Sequence, residues 1–439
     1  MFLLNGKFSD PKKCERRGKR SETTDGSTKE GVGTAYHTSS QVWFTIAHGI
    51  VNEIYYPHID RPNTRDLQFL ITDGESFVHE ERRDLDHAIG YPETNALVYR
   101  LINSDRGGRY RIVKEIICDP HHSVLLLHTR VEILDESLSG KLRVFALLAP
   151  HLNRAGAHNS AVICGYGGRA LFHVFRADAK DDPNSADLHM SFGSQPDFLR
   201  RSVGYVGASD GWQDLRDFKM DWEFPGADDG NIALTAECDL SHGDEFTLAV
   251  GFARSARGGG TKVLQAFATP FAQHREAFVA NWQAVCGGED HAAFTGDGGS
   301  LFRLSRLLLH AHEDKVFCGG IVASLSIPWG ETKGDGEIGG YHLVWPRDLM
   351  QSCTGLLAMG HTDAPARAGK TLRVITTGPA IIHWSGSDGH VGDATAQETN
   401  LGCWYADLPT GELPAGTEIH FHLLCDGETD GAEHTVKVA

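Results

Sequence analysis

The chain has 439 residues, enough for two or three domains with ample core. A formal net charge of -17 and a pI near 5.7 exclude nucleic acid and anionic membrane as natural partners and suit a neutral, polyhydroxylated one. Nine cysteines lie far apart with no CxxC pair and no metal-ligand spacing, so they read as reduced thiols of a cytoplasmic protein without metal or other cofactor.

The first residues, MFLLNGKFSDPKKCERRGKRSETTDG, hold only a short apolar run before polar and basic ones. A secretory leader needs a longer apolar core, and no later stretch is long enough to span a bilayer. Residues 1–29 are expected to be a disordered arm. Residues 30–258 follow as a large antiparallel β-sandwich. The runs 67–72, 110–117, 124–133, 142–148 and 246–252 are rich in Val, Ile, Leu, Phe and Thr. Turn signals separate them, such as Asp73-Gly74, Asp105-Arg106-Gly107-Gly108 and Gly165-Tyr166-Gly167-Gly168. The pattern over 33–257 predicts a unit that folds alone. Its histidines (His48, His58, His79, His87, His121, His122) show no ligand spacing on one helix face. Glu80-Glu81-Arg82-Arg83-Asp84 reads as a solvated face or a contact with the next domain. Asp228-Asp229 beside Gly230 reads as turn chemistry.

From Lys262 to Val285 the period becomes helical, with Leu264, Phe267, Phe271, Phe278, Trp282 and Val285 near one face, despite Pro270. This defines a linker helix within 259–290. A second amphipathic helix is expected over 299–311 and a third over 346–359, inside a segment 291–369. Between those two helices lies IVASLSIPWGETKGDGEIGGYHLVWPRDL. It holds a short extended run over 321–327, then a Gly-rich loop with Glu331, Asp335 and Glu337. Tyr341 and Trp345 come next, flanking an apolar pair, and Pro346 opens the third helix. Arg347 and Asp348 are thereby placed at a helix mouth beside two aromatic rings. An adjacent Arg and Asp is also the ordinary pattern of a solvated ion pair. Together with the rings, however, these residues supply what a sugar pocket needs: a surface to stack on and charges for adjacent hydroxyls.

The order Ala-Ser-x-Ser-x-Pro…Tyr-x-x-x-Trp-x-Arg-Asp resembles the first active-site loop of bacterial glucoamylases and glucodextranases. The stretch from GVGTAYHTSSQVWF to LITDGE, with SVGYVGASDGWQDL and MDWEF, is similar to the sandwich that opens those proteins. They are inverting glycoside hydrolases built on an (α/α) barrel of paired helices. The resemblance implies that Arg347 and Asp348 hold the non-reducing-end glucose of an α-glucan or maltooligosaccharide. It places Tyr341 under the sugar ring and makes Trp345 a pocket wall.

From 371 onward the runs 372–376, 381–384, 401–406, 418–424 and 434–438 are β again, and DLPTGELPAGTEI resembles the small C-terminal domain of the same relatives. The expected architecture is therefore multidomain. A large antiparallel β-sandwich is followed by a truncated (α/α) barrel segment and a small β-sandwich-like segment at 370–439, joined between 364 and 372. In the family the catalytic acid and base are glutamates on later barrel loops. The resemblance thus implies no catalytic residue here, with Glu331 the one alternative acid. It also implies a glucoamylase-like hydrolase with impaired turnover, or else a non-catalytic carbohydrate-binding or scaffold protein. Self-association through the uncovered barrel segment is a further expectation.

Overall fold

The computed structural model describes residues 29–176, 188–286, 296–325, 340–359, 371–376, 378–398, 404–410, 413–425, 428–429 and 433–438. The N-terminal arm, the acids Glu331, Asp335 and Glu337, and most of the junction near 364–372 lie outside them. The chain divides into two compact units, 1–344 and 345–439.

The first unit is built on two antiparallel sheets. One runs in the order Gly31–Thr34, Trp43–Ala47, Ile50–Tyr55, Thr64–Thr72, Arg143–Pro150, Ile232–Glu237 and Arg200–Tyr205, with Val78–Glu80 pairing on Thr64–Thr72. The other runs Gly226–Gly230, Asn159–Tyr166, Arg169–Arg176, His189–Gln195, Glu245–Ala253, Val124–Ile133, Tyr110–Cys118, Tyr99–Asp105 and Leu85–Gly90. Trp43, Phe44, Phe69 and Val144 from the first sheet and Ile116, Leu126, Phe172 and Leu248 from the second belong to one buried cluster. All five predicted runs are strands, some longer than their apolar residues alone suggest. Local chemistry sets the hairpins: Gly167 and Gly168 both have positive φ and join two strands whose register closes at Tyr166 and Arg169. That is the geometry a two-residue hairpin turn demands.

The helical period at 262–285 resolves into two helices, α1 (Ala256–Ala268) and α2 (Phe271–Cys286). Pro270 is the reason. It disfavours helical backbone in the residue before it, and Thr269 is extended at φ -110 and ψ 131. Ser255 caps α1 by accepting the amide of Gly258. Val263 and Ala266 of α1 join the sandwich core. Along α2 the buried residues are His274, Phe278, Trp282 and Cys286, a clean i, i+4 stripe. The core then continues through α3 (Ser300–Ala311), by Leu307 and Ala311, to Val322 and Leu325. Leu304 and Leu308 pack half-buried against it.

The charged run at 80–84 is not a solvated face. Glu81 is buried and lies 2.6 Å from the Lys114 ammonium, and it also accepts from the Phe69 amide and the Asn103 side chain. The carboxylate, at the start of the short helix Glu81–Asp84, is buried because a buried lysine on the strand Tyr110–Cys118 neutralises it. Asp228 and Asp229 are not a turn but part of the edge strand Gly226–Gly230, in which Asp229 has φ 48 and its amide donates to the Ser160 hydroxyl.

The second unit begins with α4 (Pro346–Ala358) and carries two small antiparallel sheets. One has the order Leu372–Thr376, Trp404–Leu408, Gln397–Glu398. The other runs Val391–Thr395, Ile381–Gly386, Glu418–Cys425, with Glu428–Thr429 and His434–Lys437 pairing on the last. Ile382, Trp384, Ala406, Leu408, Ile419, Phe421 and Val436 form its own core.

Candidate functional site

Tyr341 stands in a short turn tied to the chain that follows α3. The Ser324 amide donates to the Tyr341 carbonyl at 2.9 Å and the Ala323 amide to that of Leu343 at 3.1 Å. The Val322 amide in turn donates to the His312 carbonyl at 3.0 Å, at the end of α3. Tyr341 is thus carried by a backbone ladder, and its ring is 52% exposed. An exposed aromatic on a fixed backbone is a suitable stacking surface for an uncharged ring.

The flanking apolar pair behaves contrary to its composition. Leu343 and Val344 are exposed, while the polar residue between Tyr341 and Leu343, His342, is 3% exposed. His342 meets the Tyr55 ring edge-to-face at 5.6 Å. Burial, with the Arg154 charge nearby, pushes its imidazole down to about 4, so it is neutral at ordinary pH. Among the described residues neither of its ring nitrogens nor the Tyr55 hydroxyl has a hydrogen-bond partner. Nothing in the spacing of the sequence marked His342 as the inward residue of this turn.

The attachment of α3 to the sandwich rests on groups that the sequence did not single out. The Asp314 carboxylate receives the amides of Ile59, Val316 and Phe317 at 2.8–3.0 Å. The Lys315 ammonium donates to the Thr34 hydroxyl and the Ser40 carbonyl and sits 4.8 Å over the Trp43 ring. The Trp282 indole donates to the Thr34 carbonyl at 3.1 Å. Strand, α2 and the loop after α3 are therefore joined at one place.

Trp345, Arg347 and Asp348 belong to the second unit. The Trp345 carbonyl accepts the Leu349 amide at 2.8 Å, so it closes the first turn of α4, and Pro346 occupies the position where no amide is needed. Trp345 is 47% exposed. The Arg347 side chain is 73% exposed and that of Asp348 22%, with 3.8 Å between guanidinium and carboxylate. That separation is too long for a hydrogen bond and leaves both groups available to other partners. An acidic residue in the first turn also complements the helix dipole. Among the described residues no three His, Cys, Asp or Glu side chains stand together as metal ligands.

Residues 17–286 match the family described as glucodextranase, domain N. A glucoamylase of Clostridium sp. (strain G0005) is 32% identical over 347 residues, which is 79% of this chain and 48% of that protein. The crystal structure of a bacterial glucoamylase complexed with acarbose is similar at a TM-score of 0.71 and 31% identity, over 76% of this chain and 48% of that one. A large sandwich followed by helices and small C-terminal sheets thus matches the glucoamylase-like fold. The chain belongs to the glucoamylase and glucodextranase family of glycoside hydrolases. It spans about half the length of the relatives it matches.

Proposed function

We propose that this chain binds the non-reducing-end glucose of an α-glucan or maltooligosaccharide weakly and does not hydrolyse it. It descends from enzymes that release glucose by inversion. By resemblance Tyr341 takes the role of stacking under the sugar ring, Trp345 that of a pocket wall, and Arg347 and Asp348 that of engaging hydroxyl groups. The observation that carries the reading is the family match to a protein whose structure holds acarbose, of which this chain spans 48%.

Inversion needs two carboxyl groups about 6.5–9.5 Å apart. By resemblance both come from barrel loops beyond α4, whereas here Leu372–Thr376 is already strand. Without acid and base each step forgoes a factor of about 10²–10⁴. A one-walled site also neither excludes water nor offsets the lost freedom of the sugar, which favours millimolar affinity at best.

The test is saturation-transfer NMR with maltose, beside an assay of glucose release from maltooligosaccharides. We expect a weak signal that disappears in Arg347→Ala and Asp348→Ala, and no release. Steady release abolished by Glu331→Gln overturns the claim that the chain lacks its acid. Binding unchanged in both variants moves the sugar to a β domain and supports the second reading, a non-catalytic carbohydrate-binding or scaffold protein. Exposure of Leu301, Phe317, Leu343 and Val344 supports self-association, which sedimentation velocity reads directly. Among the described residues Cys118, Cys164, Cys238, Cys286, Cys318 and Cys353 are in no disulfide, which supports a cytoplasmic location. No helix of the described residues is long and apolar enough to cross a membrane.

A further inference from the structure

The turn that carries Tyr341 is anchored from inside by His342, and that anchor is an ionisable group. Its ring meets Tyr55 edge-to-face at 5.6 Å, and Tyr55 is fully buried at the end of the strand Ile50–Tyr55. The Ala323 and Ser324 amides tie the same turn to the chain after α3. With the imidazole inside, its neighbours Tyr341 and Leu343 are held outward.

The surroundings suit this ring only in its neutral form. Among the described residues neither ring nitrogen has a hydrogen-bond partner, so an imidazolium would bury two donors without an acceptor. The nearby charges are of the wrong sign. Arg154 beyond the strand Arg143–Pro150, Lys29 before the strand Gly31–Thr34, and His312 at the end of α3 all disfavour a proton there. The carboxylate that acts on Tyr55, Glu53, is engaged by the Lys29 ammonium at 2.5 Å and by the Thr45 hydroxyl. Tyr55 itself stays a neutral phenol, because burial and the Glu53 charge both raise its pKa. Burial and the cations lower the imidazole from 6.5 to about 4. The closed turn is therefore fully favoured above 6.5, and that advantage is lost progressively as the pH falls to the folded value.

We propose that His342 is the positioning residue of the Tyr341 turn: its neutral imidazole seats the turn on Tyr55, and protonation releases it. The exposed Tyr341 ring is then a stacking surface withdrawn in acid. Its use by a sugar rests on the α-glucan reading above, whereas the gate itself does not.

The experiment is hydrogen exchange of the full chain at about pH 7 and about pH 4.5, read at the Ala323 and Ser324 amides and corrected for intrinsic rates. His342→Phe keeps a buried ring, takes up no proton and shares every other titrating group with the wild type. Protection in the wild type should fall on the order of fiftyfold more than in this variant, the ratio set by 6.5 and about 4. An equal fall in both overturns the proposal. Release of the turn also requires these amides to exchange faster than the Cys238 amide, which donates to the Val144 carbonyl at 2.9 Å inside the sandwich. Equal protection would mean that the turn opens only with the whole unit, and overturns the gate. Should His342→Phe fail to fold, the wild-type imidazole resonances decide, and a His342 ring that titrates near 6.5 in the folded chain overturns the proposal. Saturation transfer from maltose forms a separate arm, in which the wild type should lose signal over this range more steeply than His342→Phe. Equal loss, with the exchange difference present, overturns the control of the sugar surface. No maltose signal at about pH 7 defeats the α-glucan reading, and the exchange result then judges the gate by itself.

Discussion

Individual charged residues depart most from what their sequence neighbours suggest. Glu81 sits in a run of charges that reads as solvent-facing, yet it is buried because Lys114 meets it across the sheets. His342 is turned inward between two outward residues. Lys315 carries a thermodynamic consequence. Burial pushes its amine from the ordinary 10.5 down to about 7. Between those two values the unfolded chain holds more protons than the folded one, so stability rises with pH across that window. It is lost progressively as the pH falls from the unfolded value to the folded one, below which both states are protonated. Lys315→Met removes this titration. We expect the melting temperature of the wild type, relative to Lys315→Met, to rise by about 3 °C or more between pH 7 and 10, the response to roughly 1 kcal/mol. Thermal melts at the two pH values check it, and a constant difference would show that the buried amine stays charged.

At the level of elements, local chemistry was legible wherever neighbours in sequence act on one another. The glycine pair of the 167–168 hairpin and the proline that opens α4 are such cases. Pro270 is another, although its effect is to divide a helical period rather than bend it. The role of α2 is a different matter, since its period shows an apolar face and not what covers it. The structure seals that face onto the sandwich through Trp282, which is fully buried and hydrogen-bonded to Thr34. Trp282→Ala should cost about 3–5 kcal/mol. Trp282→Phe, which keeps most apolar contact and loses the indole donor, should cost appreciably less. Urea denaturation of the first unit measures both, and equal losses would mean that the hydrogen bond, not packing, holds the helix.

For the whole molecule, the apolar cluster places the end of the first unit well beyond the last sandwich strand. Phe278, Trp282, Leu307, Val322 and Leu325 all belong to the core that the strands begin. A fragment 33–257 leaves that core open, although the strand pattern by itself predicts an independent domain. We expect residues 29–344 to fold alone, with a strand-dominated circular dichroism spectrum and a cooperative melt. The 33–257 fragment should melt at least several degrees lower or aggregate. If the shorter fragment proves equally stable, the helices are an attachment and not part of the core.

Strand runs, hairpin turns, helix starts and the family were all readable from residue order, because each depends on groups a few positions apart or on a motif kept contiguous. The large antiparallel sandwich and the small C-terminal sheets follow from that local information. Burial of Glu81, inversion of the His342 turn, and continuity of the core through α2 and α3 could not be read that way. Each rests on a partner tens to hundreds of residues distant. Whether a polar group pays its desolvation cost depends on that partner's position, which only the packed sheets and helices supply.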